Sequence, residues 1–321
     1  MNRWQILNAE PENYSGQAVD LLSTVGDVRL AQQDRDSLLT ALTGVDALIV
    51  RLAFQIDEQV LAAAPRLRAI VTATTGLDHI DLAAAERCGV KVLSLKGEID
   101  FLRSIPATAE LTWGLLLALT RNIPAAFGSV LQSEWQRDRF KGHDLAGRQL
   151  GILGLGRIGH MVARYGLAFG MRVLAYDPTP QLWVEGVERV SSPVELFRQA
   201  DVLSIHVPLN PETVRLVGKS ELDQMPPGSF LINTSRGDIL DEVALLDVLN
   251  SGQLAGAALD VLSNERSDSL TSSPLIRYAQ THSNLILTPH IGGATYESMA
   301  ATEIFMAKKL VDYLKSLEKN G

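Results

Sequence analysis

The run Leu150-Gly151-Ile152-Leu153-Gly154-Leu155-Gly156-Arg157-Ile158-Gly159 decides the fold. A strand-like apolar stretch leads into Gly-x-Gly-x-x-Gly at Gly154, Gly156 and Gly159, and Ile158 to Phe169 continues with the pattern of a helix. Each glycine has a task in a strand–turn–helix unit that holds a diphosphate. Gly154 permits the tight turn, Gly156 lets the phosphates approach the backbone, and Gly159 lets the helix pack on the strand. The helix N-terminus adds unpaired N–H groups. The motif alone is weak evidence, and the confirming residue is Asp177, 18 positions beyond Gly159. It follows the second apolar run, Val173-Leu174-Ala175-Tyr176, where a carboxylate binds the adenosine ribose hydroxyls. Its charge repels a 2′-phosphate, so NAD is expected over NADP. Arg157 could contact the pyrophosphate, which keeps NADP open as the lesser option.

Strand-like and helix-like segments alternate on both sides of this unit. Ala47–Val50, Ala69–Val71 and Val90–Leu93 read as strands before it. Leu150–Leu153, Arg172–Ala175, Val202–Ile205, Phe230–Ile232, Ala257–Leu259 and Leu285–Leu287 read as strands within it and after it. Asp34 to Leu42 and Asp57 to Ala63 are amphipathic, the second stopped by Pro65. Ala107 to Arg121 is expected as a long helix capped by Thr108, and Tyr296 to Leu317 as a terminal amphipathic helix. Such alternation implies crossover connections and mainly parallel sheets. Ser263 to Ser283, rich in Ser, Asn and Asp, reads as the longest irregular stretch.

The chain has 321 residues, enough for about two domains, and 46% apolar with 21% charged residues is ordinary globular composition. A net charge of −8 argues against a dedicated nucleic-acid binder. Cys88 is the only cysteine, which excludes an intramolecular disulfide or a cysteine-cluster metal site; no metal is expected. The N-terminus lacks the apolar core of a signal peptide, and the longest apolar stretch, Trp113 to Leu119, is far short of a membrane span. A cytoplasmic protein with no membrane partner is the expectation.

Of the histidines His79, His143, His160, His206, His282 and His290, two follow apolar strands, where crossover sheets place their ligands. These are His206 and His290, and Gly292 and Gly293 would let a large group come close to the second. His160 falls on the helix after the glycine turn and His282 in the polar stretch, so both read as structural or solvated.

Taken in order, Gly154 to Gly159, Ile232-Asn233-Thr234-Ser235-Arg236-Gly237 with Leu240-Asp241-Glu242, Leu259-Asp260-Val261-Leu262-Ser263-Asn264-Glu265, and Pro289-His290-Ile291-Gly292-Gly293-Ala294-Thr295 resemble the motifs of the D-isomer-specific 2-hydroxyacid dehydrogenases. The spacing agrees, with 29 residues from Arg236 to Glu265 and 25 from Glu265 to His290. The resemblance covers nearly the whole chain. It implies an α/β protein of two lobes: a Rossmann-type doubly wound parallel sheet for NAD at 106–294, and a smaller flavodoxin-like substrate lobe at 1–105 completed by 295–321. A cleft closing between them would exclude water. The resemblance further implies that Arg236 clamps the substrate carboxylate and polarises the carbonyl, and that His290 exchanges the proton. Glu265 would fix the histidine tautomer and favour its charged form.

Further positions carried over are Thr75, Gly76 and Leu77 as the loop holding the substrate carboxylate, with Thr75 also near the cofactor. Gly154, Gly156, Arg157, Ile158, Gly159, Asp177, Val207, Pro208, Thr234, Ser235 and Gly292 would surround the dinucleotide, and Asp260 would bind its carboxamide. Arg51 is a candidate contact for a charged substrate tail. The family is typically dimeric through the cofactor lobe, so a homodimer is expected. Arg266 stands where the glutamate motif commonly has proline, which bears on substrate selectivity. With 31 residues after His290, no appended regulatory domain is expected. The reading from a different class is an NAD(H)-sensing interaction protein, like the corepressors that share this fold and retain similar residues.

Overall fold

Short runs of Val, Ile, Leu and Ala become strands buried on both faces, as parallel strands covered by helices must be. The computed structural model describes residues 3–180, 183–263, 265, 270 and 272–320. The chain divides into two units, Met1–Ile105 with Ala294–Gly321, and Pro106–Gly293.

In the first unit, β1 (Trp4–Asn8), β2 (Gly26–Leu30), β3 (Ala47–Val50), β4 (Ala69–Thr72) and β5 (Lys91–Leu93) form a parallel sheet in the order β2-β1-β3-β4-β5. That order, with the first strand inside, is the flavodoxin-like one. Helices Gly16–Ser23 and Tyr296–Asn320 cover one face through Leu22, Met306, Leu310 and Leu314. Helices Arg35–Ala41, Glu58–Ala62 and Leu82–Arg87 cover the other through Leu38, Val60 and Ala84.

The second unit contains β6 (Gln149–Leu153), β7 (Arg172–Tyr176), β8 (Val187–Arg189), β9 (Val202–Ile205), β10 (Ser229–Asn233), β11 (Leu254–Leu259) and β12 (Leu285–Leu287). All pair in parallel, in the order β12-β11-β10-β9-β6-β7-β8. Helices Ala107–Thr120 and Arg157–Ala168 seal one face with Trp113, Leu116, Val162 and Ala163. Phe197, Leu245 and Val248 seal the other. The chain winds outward from β6 to β8, then returns to β9 on the opposite side. The β6–β9 boundary is therefore the point where successive loops diverge, which in open α/β sheets leaves a crevice at the strands' carboxyl ends.

Three strands lie where the apolar pattern predicts none. β2 and β8 are sheet edges and bury little, so their sequences carry little apolar signal. In β1 the alternation is broken by Gln5, which reaches Asp27 at the surface, and by buried Asn8, which accepts the Glu10 N–H. Thr108 does not cap helix Ala107–Thr120: the N-cap is Pro106, with no side-chain cap bond, and Thr108 lies inside the first turn. The 263–283 stretch also contains a helix, Pro274–Ala279. Proline sits at its start, where a missing N–H costs nothing, and Leu275 and Tyr278 are buried. Among the described residues no single helix is long and apolar enough to cross a membrane.

Candidate active site

The glycine turn takes its shape from contacts that only glycine allows. Gly154 has φ of +95°, and a Cβ there would sit 2.9 Å from the His206 carbonyl. A Cβ on Gly159 would come within 2.1 Å of the Gly154 carbonyl oxygen, so the helix could not seat on β6. Gly156, by contrast, has nothing within 4 Å on its Cβ side, and helix Arg157–Ala168 starts from it with no side-chain cap. Open space beside an uncapped helix N-terminus suits a diphosphate. Burial lowers the pKa of the Arg157 guanidinium, the first residue of that helix. Ile158 packs into the core beneath it.

Asp177 leaves β7 beside this turn. One carboxylate oxygen accepts the Leu155 N–H at 2.8 Å and the other the Thr179 N–H at 2.9 Å, which holds the carboxylate at the turn's rim. Val207 reaches the same turn from the end of β9, its Cγ1 lying 2.9 Å from the Gly154 Cβ position, and Pro208 follows it. His206 Nε2 and the Ser204 hydroxyl are 2.8 Å apart, and burial pushes the imidazole pKa down, so His206 is a neutral structural group.

The other candidate residues leave the ends of β10, β11 and β12, which are neighbours. Asn233 closes β10 fully buried. Its side-chain Oδ1 accepts the Ser235 N–H and hydroxyl at 3.0 and 2.8 Å, and its Nδ2 donates to the Arg236 carbonyl at 2.9 Å. This turn presents Arg236, whose Nη1 donates to the Ser235 carbonyl. Thr234 ties the same loop to helix Ala107–Thr120 through a buried 2.8 Å hydroxyl pair with Thr112. An asparagine ending an apolar strand is a turn former with a mechanism, and Asn233 shapes this turn through its side chain.

Asp260 follows β11 and is 1% exposed. Oδ1 accepts the Thr288 hydroxyl at 2.6 Å and the Ile291 N–H at 2.8 Å, and Oδ2 accepts the Gly292 N–H at 2.7 Å. The Asp260 carbonyl accepts the His290 N–H at 2.9 Å. Expected at the nicotinamide carboxamide, Asp260 here devotes three of about four acceptor positions to the loop that carries His290. Burial raises its pKa, against the three hydrogen bonds and the charge of His290, which lower it. That grip matters because His290 has φ of +54°, a left-handed conformation that costs a side-chain-bearing residue about 1–3 kcal/mol.

His290 Nδ1 lies 2.6 Å from Glu265 Oε1. An ionised carboxylate only accepts, so Nδ1 carries the proton and Nε2 is the ring nitrogen turned away from Glu265. Arg266, noted for its departure from the motif, lies outside the described residues.

In the first unit, Thr75, Gly76 and Leu77 follow β4. Their loop is shaped by the Thr74 hydroxyl, which donates to the Gly76 carbonyl at 2.8 Å, and Thr75 is exposed. Arg51 follows β3 and is not a free cation. Its guanidinium pairs at 2.6 Å with Glu303, which is 3% exposed, and donates to the Glu12 carbonyl.

Fold and site together define a two-unit α/β protein with a dinucleotide turn and an Arg/Glu/His group at the ends of adjacent parallel strands. The family model for the D-isomer specific 2-hydroxyacid dehydrogenase NAD-binding domain matches residues 113–292. The chain is 37% identical over 302 residues to a D-3-phosphoglycerate dehydrogenase of Methanocaldococcus jannaschii, covering 93% of this chain and 55% of that protein. It is 34% identical over 296 residues to a hydroxypyruvate reductase of Thermotoga maritima, covering 92% and 94%. A D-lactate dehydrogenase of Aquifex aeolicus, complexed with NAD and lactic acid, superposes with a TM-score of 0.81 at 28% identity over 98% of this chain and 95% of that one. The chain belongs to the D-isomer specific 2-hydroxyacid dehydrogenase family. It spans about half the length of the D-3-phosphoglycerate dehydrogenases it matches here, such as that of Methanocaldococcus jannaschii.

Proposed function

We propose that this protein is an NAD-dependent oxidoreductase that interconverts a small 2-keto acid and the corresponding D-2-hydroxy acid in the cytoplasm. The observation that carries the reading is the 2.6 Å pair of His290 and Glu265, held beside the loop that presents Arg236. Bound NADH supplies the hydride to the carbonyl carbon and NAD accepts it in reverse. In the reducing direction Arg236 binds the substrate carboxylate and draws electron density from the carbonyl. His290 Nε2 gives its proton to the carbonyl oxygen as the C=O π bond breaks, and Glu265 holds the ring through Nδ1. Thr75, Gly76 and Leu77 are proposed to hold the carboxylate through backbone amides. Val207, Pro208, Thr234, Ser235 and Gly292 are proposed to line the dinucleotide site. Arg51 is already neutralised by Glu303, which favours a substrate whose tail carries no phosphate.

The test is NADH oxidation against a panel of glyoxylate, hydroxypyruvate, pyruvate, branched-chain and phosphorylated 2-keto acids, with NADPH run alongside. Turnover confined to one or a few unphosphorylated acids is expected. Silence across the panel with NADH still bound would instead point to a sensing role. Cofactor choice has its own check: Asp177→Ala is expected to narrow the NADH-over-NADPH ratio of kcat/KM, and an unchanged ratio would remove Asp177 from the ribose.

We also propose a homodimer. Ile123, Phe127 and Leu131 recur every fourth residue on helix Ile123–Leu131 and are all exposed, Leu131 at 70%, with Trp135 just beyond at 86%. Side chains at this spacing share one helix face, and exposed apolar groups of this size mark a protein contact. Light scattering is expected to show a dimer for the wild type and a monomer for the double variant Phe127→Asp/Leu131→Asp. A variant that stays dimeric would place the interface elsewhere.

A further inference from the structure

Glu242 is a half-buried carboxylate that the proposed reaction does not use. It opens helix Glu242–Asn250, yet the capping is done by its neighbour Asp241, whose carboxylate accepts the Val243 and Ala244 N–H groups at 3.0 and 3.1 Å. The Glu242 side chain turns elsewhere, and its Oε1 accepts the Ser263 N–H at 2.6 Å. Burial raises its pKa and the charges of Asp238 and Asp241 add to that, whereas the bonds from Ser263 lower it. A carboxylate in so unfavourable a place is held there by what it binds.

Ser263 stands two residues before Glu265, and the Leu262–Ser263 peptide is gripped twice. Its N–H meets Glu242, while its plane lies on Gly237, where a Cβ would come within 2.1 Å of the Leu262 carbonyl carbon and 2.3 Å of the Ser263 nitrogen. Glu265 returns to the same peptide, since its Oε2 accepts the Leu262 N–H at 3.4 Å while Oε1 meets His290. Gly237 and Glu242 both belong to the segment that starts at Arg236. We infer that Glu242 is a positioning residue: by fixing the Leu262–Ser263 peptide it sets Glu265 against His290, and so couples the arginine-bearing segment to the acid–base pair. The inference rests on the proposed dehydrogenase reading for its effect on turnover, but its geometric content can be tested without turnover.

The experiment uses the full chain and compares Glu242→Gln with Glu242→Asp and Glu242→Ala. Glutamine keeps an acceptor oxygen at the same reach, whereas aspartate keeps the charge and withdraws it by one methylene. In all three, NADH affinity is expected to stay near wild type. The Asp and Ala variants should speed hydrogen exchange at the Ser263 amide, shift or abolish the downfield proton resonance of His290 Nδ1–H, and lower kcat roughly 10- to 100-fold, as small misplacements of catalytic groups do. The Gln variant should restore all three readouts towards wild type. Glu242→Asp behaving as wild type, Glu242→Gln failing like Ala, or an unaltered His290 resonance in Glu242→Asp would each overturn the inference, even if the Ala variant does not fold. Wild-type silence on every keto acid would count against the dehydrogenase reading alone, because the exchange and resonance readouts need no substrate.

Discussion

Replacing His290 with asparagine is expected to lower the turnover of 2-keto acid reduction about 10²- to 10⁴-fold, the usual contribution of a positioned general acid. Asparagine is the informative choice because the residue sits at φ of +54°. Alanine there would add backbone strain to the loss of chemistry, whereas asparagine tolerates the left-handed region. The Ile291 and Gly292 amides stay on Asp260 in such a variant, so the loop is expected to survive. NADH affinity, measured by fluorescence titration, should remain near wild type, since the proposed reading has the imidazole act on substrate and the turn Gly154 to Gly159 hold the diphosphate. Steady-state kinetics showing wild-type kcat would sink the assignment of His290 as the acid.

What the sequence alone made legible follows from the range of the interactions involved. The dinucleotide turn is read from a few consecutive residues because its constraints are local: Gly154 needs its positive φ and Gly159 its missing Cβ within one strand–turn–helix. The central strands of the second sheet were legible because burial on both faces leaves an uninterrupted apolar run. β2 and β8 were not, because each buries only its first residue, Gly26 and Val187, and so carries no apolar run. The pairing of His290 with Glu265 was expected by resemblance. The framework that poses them, Asn233 under Arg236, Asp260 under His290 and Glu242 under Ser263, depends on contacts between residues 3 to 32 apart in sequence. Arg51 shows the same limit from the other side: its partner Glu303 lies 252 residues away, and nothing near Arg51 in the chain announces that the cation is already neutralised.

The second large effect is expected at Asp260. Asparagine there retains one acceptor oxygen for the Thr288 hydroxyl and the Ile291 N–H, but it sets an NH₂ group against the Gly292 N–H now bound at 2.7 Å. Two donors facing each other in a buried position leave one unsatisfied, at about 1–3 kcal/mol. The loop relieves this by moving, and the residue it moves is His290. Turnover is expected to fall roughly 10²-fold, the scale of an ångström-sized misplacement. Stability should behave differently. Burial raises the Asp260 pKa in the native state, so this carboxyl contributes most to stability below its unfolded pKa of about 3.9 and loses that contribution as pH rises through its native pKa. Once ionised, the group is therefore kept at a cost in stability, which a neutral asparagine does not incur. Thermal unfolding from pH 4 to pH 8 should show the melting temperature of Asp260→Asn rising relative to wild type as pH increases, while turnover stays low throughout. A constant offset between the two proteins would mean that Asp260 has the same pKa folded and unfolded. Wild-type turnover in the variant would mean that His290 holds its conformation without the carboxylate. The expected combination, a protein that loses activity while shedding an electrostatic penalty, is what separates a group retained for posing the acid from one retained for holding the fold.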